Sequence, residues 1–282
     1  MPDGPFSRGE DSLEALFHVK KPVIGVVHSL PLPGSPLYRG QSMDEVYEHA
    51  IREARRYAQG GIDGLMVENA QDLPFLKPDD ISHETVSTMA VMARLVKEEV
   101  DLPVGVSCLA DGVIPALAIA KASGAAFVRA TQWVYGYLGN HGFVDAQAPK
   151  ALRYRTSIGA NHIRVFADVR VKHGSHAIVA DRSASEIAHD SEYYGADGLI
   201  ATGSHTGFAT PVDEVRAVKA GTSLPVLVGS GANAENVGEL LQDADGVIVG
   251  SSLKTGGMWW QPVDPDKVAR FMDAVGRARG GR

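Results

Sequence analysis

The chain has 282 residues, of which 27 are basic and 34 acidic, giving a formal net charge of −7. That balance offers no basic field to gather nucleic acid or an anionic membrane, so neither is an expected partner. Cys108 is the only cysteine, which excludes an intrachain disulfide and a thiolate zinc cluster. The start "MPDGPFSRGEDSLEALFHVKKP" has no apolar core of signal-peptide length, and no run approaches the ~18–20 apolar residues of a membrane helix. A cytoplasmic protein without membrane insertion is therefore expected.

Strands buried on both faces read as short apolar runs. In chain order they fall at Val23–His28, Gly64–Asn69, Val104–Leu109, Phe127–Thr131, Ile163–Asp168, Gly198–Gly203, Val226–Gly231 and Gly246–Ser252. Helical patterns lie between them. Ser42-x-x-Glu45 opens a segment with apolar Val46, Ala50, Ile51, Ala54 and Ala58, closed by Gly60-Gly61. Val86, Met89, Ala93, Val96 and Val100 mark a second helix, and further starts are read at Ser183-x-x-Glu186, Thr210-Pro211 and Asp264-Pro265. The phrases "GIDGLMVEN" (61–69), "GADGLIATG" (195–203) and "DADGVIVG" (243–250) repeat one device, a helix end and a turn feeding a buried strand. Eight strand-helix units predict an α/β fold, a single (β/α)8 TIM barrel over 1–282. An open doubly wound sheet is the alternative. Residues 1–20 are expected to form an extension covering the barrel floor, with a short helix from Ser12 to Phe17.

Barrel chemistry gathers where strands run out into the following loops. Glu68, Arg129 and Asp168 are charges ending otherwise apolar runs, and buried charge must find a partner or shift its pKa. A salt bridge of Arg129 with Glu68 or Asp168 is the plain structural explanation. Arriving with His28 from four different strands, the three charges also resemble a site that binds an anion and moves a proton. "ADVRVKHG" (167–174) adds Lys172 and His173, so the expected catalytic set is Glu68, Asp168, His28, Arg129, Lys172 and His173. Lys172 forms a Schiff base only if desolvated, and an exposed electrostatic lysine is the commoner case. Asn69, Ser107, Thr131, Thr202 and Ser204 are expected to contact substrate.

"VLVGSGANAENV" (226–237) runs from the seventh strand through Gly229, Ser230 and Gly231, and the eighth continues into Gly250, Ser251 and Ser252. A glycine-serine turn alone needs only a steric explanation. Two such loops after strands seven and eight match the place where barrels often hold phosphate on backbone N–H groups. With Gly203 these residues form the expected phosphate site, and Lys254 either adds charge or faces water. No HxH or HExxH spacing places two metal ligands on one element, so no cofactor is predicted, while a divalent metal on His28, Glu68, Asp168 and His173 stays an alternative. "HSLPLPGSPLYRG" (28–40) and "VYGYLGNHGF" (134–143) are expected covers of the pocket, and Trp259-Trp260 either faces a ligand or packs in a subunit contact.

With these motifs the chain resembles the BtpA family, from "IGVVHSLPLPGSP" (24–36) and "GLMVENAQDLPF" (64–75) through "ADVRVKHG" and "ATGSHTG" (201–207) to "DGVIVGSSLKTGG" (245–257). The resemblance implies a TIM barrel, and the family takes its name from a protein linked to photosystem I accumulation. It departs after strand three, where family members tend to read "NVLRND" and this chain reads Ser107-Cys-Leu-Ala-Asp-Gly112, and on strand four, where "RVN" becomes Arg129-Ala130-Thr131. The expected activity is an enzyme, of lyase, isomerase or glycosyl or pentosyl-phosphate type, acting by acid-base chemistry on a small phosphorylated metabolite, a sugar phosphate or nucleotide. The alternatives are a non-catalytic assembly factor and a metal-dependent lyase or hydrolase. A homo-oligomer is expected.

Overall fold

The computed structural model describes residues 12–203 and 208–280. Eight parallel strands, Val23–His28, Gly64–Glu68, Val104–Ser107, Phe127–Ala130, Arg164–Asp168, Gly198–Ala201, Val226–Val228 and Gly246–Val249, pair in sequential order into a closed barrel. Closure sets Val23 beside Val247, Ile24 beside Ile248 and Gly25 beside Val249, so the open doubly wound sheet is excluded. Six of the strands stop short of their expected ends at Asn69, Leu109, Thr131, Gly203, Gly231 and Ser252. The fifth strand begins at Arg164 rather than Ile163. Polarity and glycine appear at the same point where the chain leaves the ladder, so the last residues of those six runs belong to loops.

Alternation along the strands divides the apolar residues into two populations. Ile24, Val26, Met66, Phe127, Phe166, Ile200, Leu227 and Ile248 fill the barrel interior, while the opposite parity packs against the helices. The interior is sealed at the floor by the helix Ser12–Phe17, whose Leu13 and Phe17 join the inner cluster. Phe17 meets Phe127 edge to face at 5.7 Å. Gly64 is required there because a Cβ would run into the Phe17 ring. The expected plug is thus present in the part of 1–20 that is described.

The helices Met43–Gln59, His83–Glu99, Ala184–Tyr193 and Pro265–Ala278 start where their caps indicate. Ser42, Ser82 and Ser183 each accept a hydrogen bond from a backbone N–H in the first turn, and Ser183 with Glu186 completes a capping box. The helix Val212–Lys219 begins after Pro211, and Thr210 instead donates its hydroxyl to the Ser230 carbonyl at 3.0 Å.

The repeated Asp-Gly phrases have a common physical purpose. The backbone N–H groups of Val23, Val165 and Val226 donate to the carboxylates of Asp63, Asp197 and Asp245 at 2.8, 2.9 and 2.8 Å. Each aspartate returns its own N–H to the carbonyl of that same valine. Every one therefore ties the start of its own strand to the start of the preceding one. A cation faces each: Arg279 at Asp63, Arg155 at Asp197 and Lys219 at Asp245. Asp197 is buried, and its burial is tolerable because the hydrogen bonds and charge replace lost hydration. The device fixes strand register at the floor and leaves the opposite end free for function.

The segment expected as a cover, 134–143, folds partly into an antiparallel hairpin of Tyr137–Gly139 with Gly142–Val144, anchored by Leu138 to Ser175. It stands over the mouth of the barrel.

Candidate functional site

Inward parity continues to the carboxyl ends of the strands. His28, Glu68, Ser107 and Arg129 are successive lateral neighbours across the first four strands. Together with Asp168 from the fifth they replace the apolar interior by a polar layer, above which lies a cavity of about 520 Å³. That volume suits a small metabolite.

Of the expected catalytic residues, His28, Glu68, Arg129, Asp168, Lys172 and His173 all line this cavity. Arg129 donates from Nε and Nη2 to Asp168 Oδ1 and Oδ2 at 3.0 and 2.9 Å, a two-pronged pair buried on both sides. Burial alone would weaken the guanidinium's hold on its proton, but the Asp168 charge and hydrogen bonds prevail and raise its pKa. The pair orients Arg129, while Asp168 still lines the cavity and burial, outweighing the Arg129 charge and hydrogen bonds, raises its pKa. His28 donates from Nδ1 to the Trp259 carbonyl at 2.8 Å, because a carbonyl can only accept. Burial first, then the charge of Lys254, pushes its pKa down to about 4, leaving a neutral ring at neutral pH. The bare Nε2 faces Glu68 Oε1 at 3.8 Å. Two acceptors so placed can flank one donor proton of a ligand. Lys172 is desolvated, which lowers its pKa to about 8 with help from Arg129. His173 sits in a left-handed turn, exposed at the rim.

The expected substrate contacts fare differently. Asn69 lies on the outward parity, where its amide donates to the Leu109 carbonyl at 3.0 Å and accepts the Leu109 N–H at 2.6 Å. It shapes the third loop and does not line the cavity. Ser107 is buried below the cavity floor, its hydroxyl without a hydrogen-bond partner among the described residues. Thr202 donates to the Arg170 carbonyl at 2.7 Å and so fixes the loop carrying Lys172. Thr131 does line the cavity, but its hydroxyl donates to Asp111 Oδ1 at 2.7 Å. Ser204 lies outside the described residues.

The expected phosphate loops converge. Gly229, Ser230, Gly231, Gly250, Ser251 and Ser252 all line the same cavity. Ser252 Oγ donates to the Ala232 carbonyl at 2.6 Å, joining the seventh loop to the eighth. Further along, the N–H groups of Asn233, Glu235 and Asn236 are consumed by the Asn233 and Asn236 side chains. Those of Gly231, Ala232, Ser251 and Ser252 have no acceptor among the described residues. Gly231 has φ +71°, and a Cβ there would strike the Phe208 carbonyl. Gly203 is corrected: its N–H serves the Glu214 carboxylate and it does not reach the cavity.

Asp111, Tyr137 and His141 also line the cavity, though none was among the expected site residues. Asp111, in a left-handed conformation with φ +60°, accepts from Tyr137 Oη at 2.6 Å and pairs with His141 Nε2 at 3.1 Å. Burial, then Asp111, raises the Tyr137 pKa. Asp111 belongs to the very stretch that departs from the family pattern, which was the available signal. Lys254 does not face water: it is buried, with Nζ 2.6 Å from Glu53 Oε2. Trp259 lines the cavity and holds His28, while Trp260 is half exposed. Among the described residues no three His, Cys, Asp or Glu side chains are placed to hold a metal ion, and no helix is long and apolar enough to cross a membrane.

Comparison with known proteins agrees with this architecture. The chain is 38% identical over 258 residues to an uncharacterized mitochondrial protein of Caenorhabditis elegans, covering 90% of this chain and 92% of that one. It is 36% identical over 260 residues to the Photosystem I biogenesis protein BtpA of Synechocystis, covering 92% and 89%. Among solved structures, a tryptophan synthase chain from Mycobacterium tuberculosis superposes with a TM-score of 0.61 at 15% identity, covering 94% of this chain and 98% of that one, a likeness of fold alone. Residues 19–277 match the BtpA family, described by that name. The chain is a TIM-barrel member of the BtpA family.

Proposed function

We propose that this protein is an enzyme acting on a small phosphorylated metabolite, a sugar phosphate or nucleotide, by acid-base chemistry at the barrel mouth. The observation that carries this reading is the Ser252–Ala232 hydrogen bond, which gathers two loops with four N–H groups unpaired among the described residues onto one cavity. Oriented backbone dipoles of this kind favour an anion without requiring a basic side chain. Glu68 and the neutral His28 stand beside the anion position as proton acceptors. Arg129, fixed by Asp168, directs the edge not used in that pair toward developing negative charge.

Ribose 5-phosphate is expected to raise the melting temperature, and ribose at the same concentration is not. Gly231→Asp is expected to abolish the response, because the new side chain meets Phe208 and brings negative charge into the loop. Ser252→Ala, a milder change, should weaken affinity about fivefold, the effect of one lost hydrogen bond of about 1 kcal/mol. Glu68→Gln should leave the response intact. Equal responses in wild type and both loop variants, or none in wild type, would overturn the reading.

A non-catalytic assembly role is the second reading, favoured by the name of the Synechocystis relative. It requires cellular function to survive combined Glu68→Gln and Asp168→Asn replacement. The enzymatic reading requires that function to be lost.

A further inference from the structure

Lys172 is unusual among the cavity groups. It lies beside Glu68, Asp168 and Arg129, yet has no carboxylate within 4.0 Å and no hydrogen bond among the described residues. Asp168, the natural partner, is already committed to Arg129 through both carboxylate oxygens. The backbone leading into Lys172 is nevertheless fixed, since Thr202 donates to the Arg170 carbonyl at 2.7 Å and His176 Nε2 meets the Val171 carbonyl at 2.8 Å. A structural lysine would be paired, whereas this one is held on a pinned turn, partly buried and unpaired among the described residues, and lines the cavity where ligand would sit.

We propose that Lys172 is a nucleophile that condenses with the carbonyl carbon of a phosphorylated aldehyde or ketone. The inference deepens the phosphate reading given above and rests on it for the phosphorylated half of the ligand. The Nζ lone pair forms the N–C bond as the carbonyl π pair moves onto oxygen. Both amine protons then leave with that oxygen as water, relayed by Glu68, so amine plus carbonyl gives imine plus water. Such attack requires an uncharged amine. Burial and the Arg129 charge supply it by lowering the pKa to about 8, while Glu68 and Asp168 oppose them. His28, the other titratable group facing the amine from the first strand, is neutral over this range.

The probe is glycolaldehyde phosphate with cyanoborohydride, applied to the full chain at pH 7.5 and followed by peptide mapping. Lys172 is expected to be alkylated at least about tenfold faster than any surface lysine, since its neutral fraction is larger by on the order of a hundredfold. Its rate should reach half its maximum near pH 8. Lys172→Arg should lose the adduct, and the saturable backbone response of the seventh and eighth loops to inorganic phosphate, which has no carbonyl to condense, reports whether the variant is still folded around the anion site. Labelling of Lys172 no faster than that of surface lysines, in protein that still responds thermally to ribose 5-phosphate, would overturn the imine and leave the phosphate site standing. Equal labelling by glycolaldehyde and its phosphate, without a thermal response, would support the nucleophile and overturn the phosphorylated ligand.

Discussion

Replacing Arg129 by methionine is expected to destabilise the fold by about 3–5 kcal/mol, the cost of leaving one member of a buried pair uncompensated. Asp168 has no exposed side-chain surface and Arg129 only 5%, so solvent cannot take over the lost role. For a chain of this size the melting temperature should fall by roughly 10 °C. The double replacement Arg129→Met with Asp168→Leu should recover most of that loss, because an apolar layer tolerates what an unpaired carboxylate does not. The recovered protein should still lose function, since stability and charge at the mouth then separate. A loss below about 1 kcal/mol for Arg129→Met by denaturant titration would show that the pair does not occupy a dry site.

The second large effect is expected at Lys254→Met, also about 3–5 kcal/mol. Lys254 and Glu53 are both 1% exposed. Burial opposes ionisation of Glu53, but Lys254 prevails and lowers its pKa. Glu53 further accepts the Val263 N–H at 3.0 Å, and Lys254 Nζ lies 5.8 Å from the centre of the Tyr57 ring. The pair thus fastens helix Met43–Gln59 to the segment after the eighth strand, directly behind Ser251 and Ser252. Glu53→Gln should cost less than Lys254→Met, because the amide still accepts from Val263 while a neutral partner keeps one bond to the ammonium. Circular dichroism melts of the two variants give the comparison, and equal losses would contradict it.

The sequence made the fold legible because barrel strands write their burial directly as uninterrupted apolar runs, and the Asp-Gly phrases mark strand starts. It made the mouth legible for the same reason. A charge closing an apolar run on the inward parity, as at Glu68, Arg129 and Asp168, has nowhere to go but the cavity. Strand ends were less visible, since Asn69 and Thr131 follow the runs without a break. One step past the ladder turned Asn69 outward, and Thr131 toward Asp111. Roles that depend on pairing were not legible at all. Which carboxylate meets Arg129 depends on the stagger of strands four and five, and the Glu53–Lys254 pair joins residues 201 positions apart. Asp111 and His141 were missed because a positive-φ aspartate in one loop and a hairpin histidine from another share no sequence pattern.

An anion held by the seventh and eighth loops would rest on their backbone N–H groups. Amide NMR of the full chain during titration with inorganic phosphate reads those groups directly. Saturable shifts should appear together at Gly231, Ala232, Ser251 and Ser252, with one shared affinity, while Asn233 and Asn236, whose N–H groups are already bonded, move less. Shifts confined to other parts of the barrel, or none at those four residues at saturating phosphate, would contradict the account.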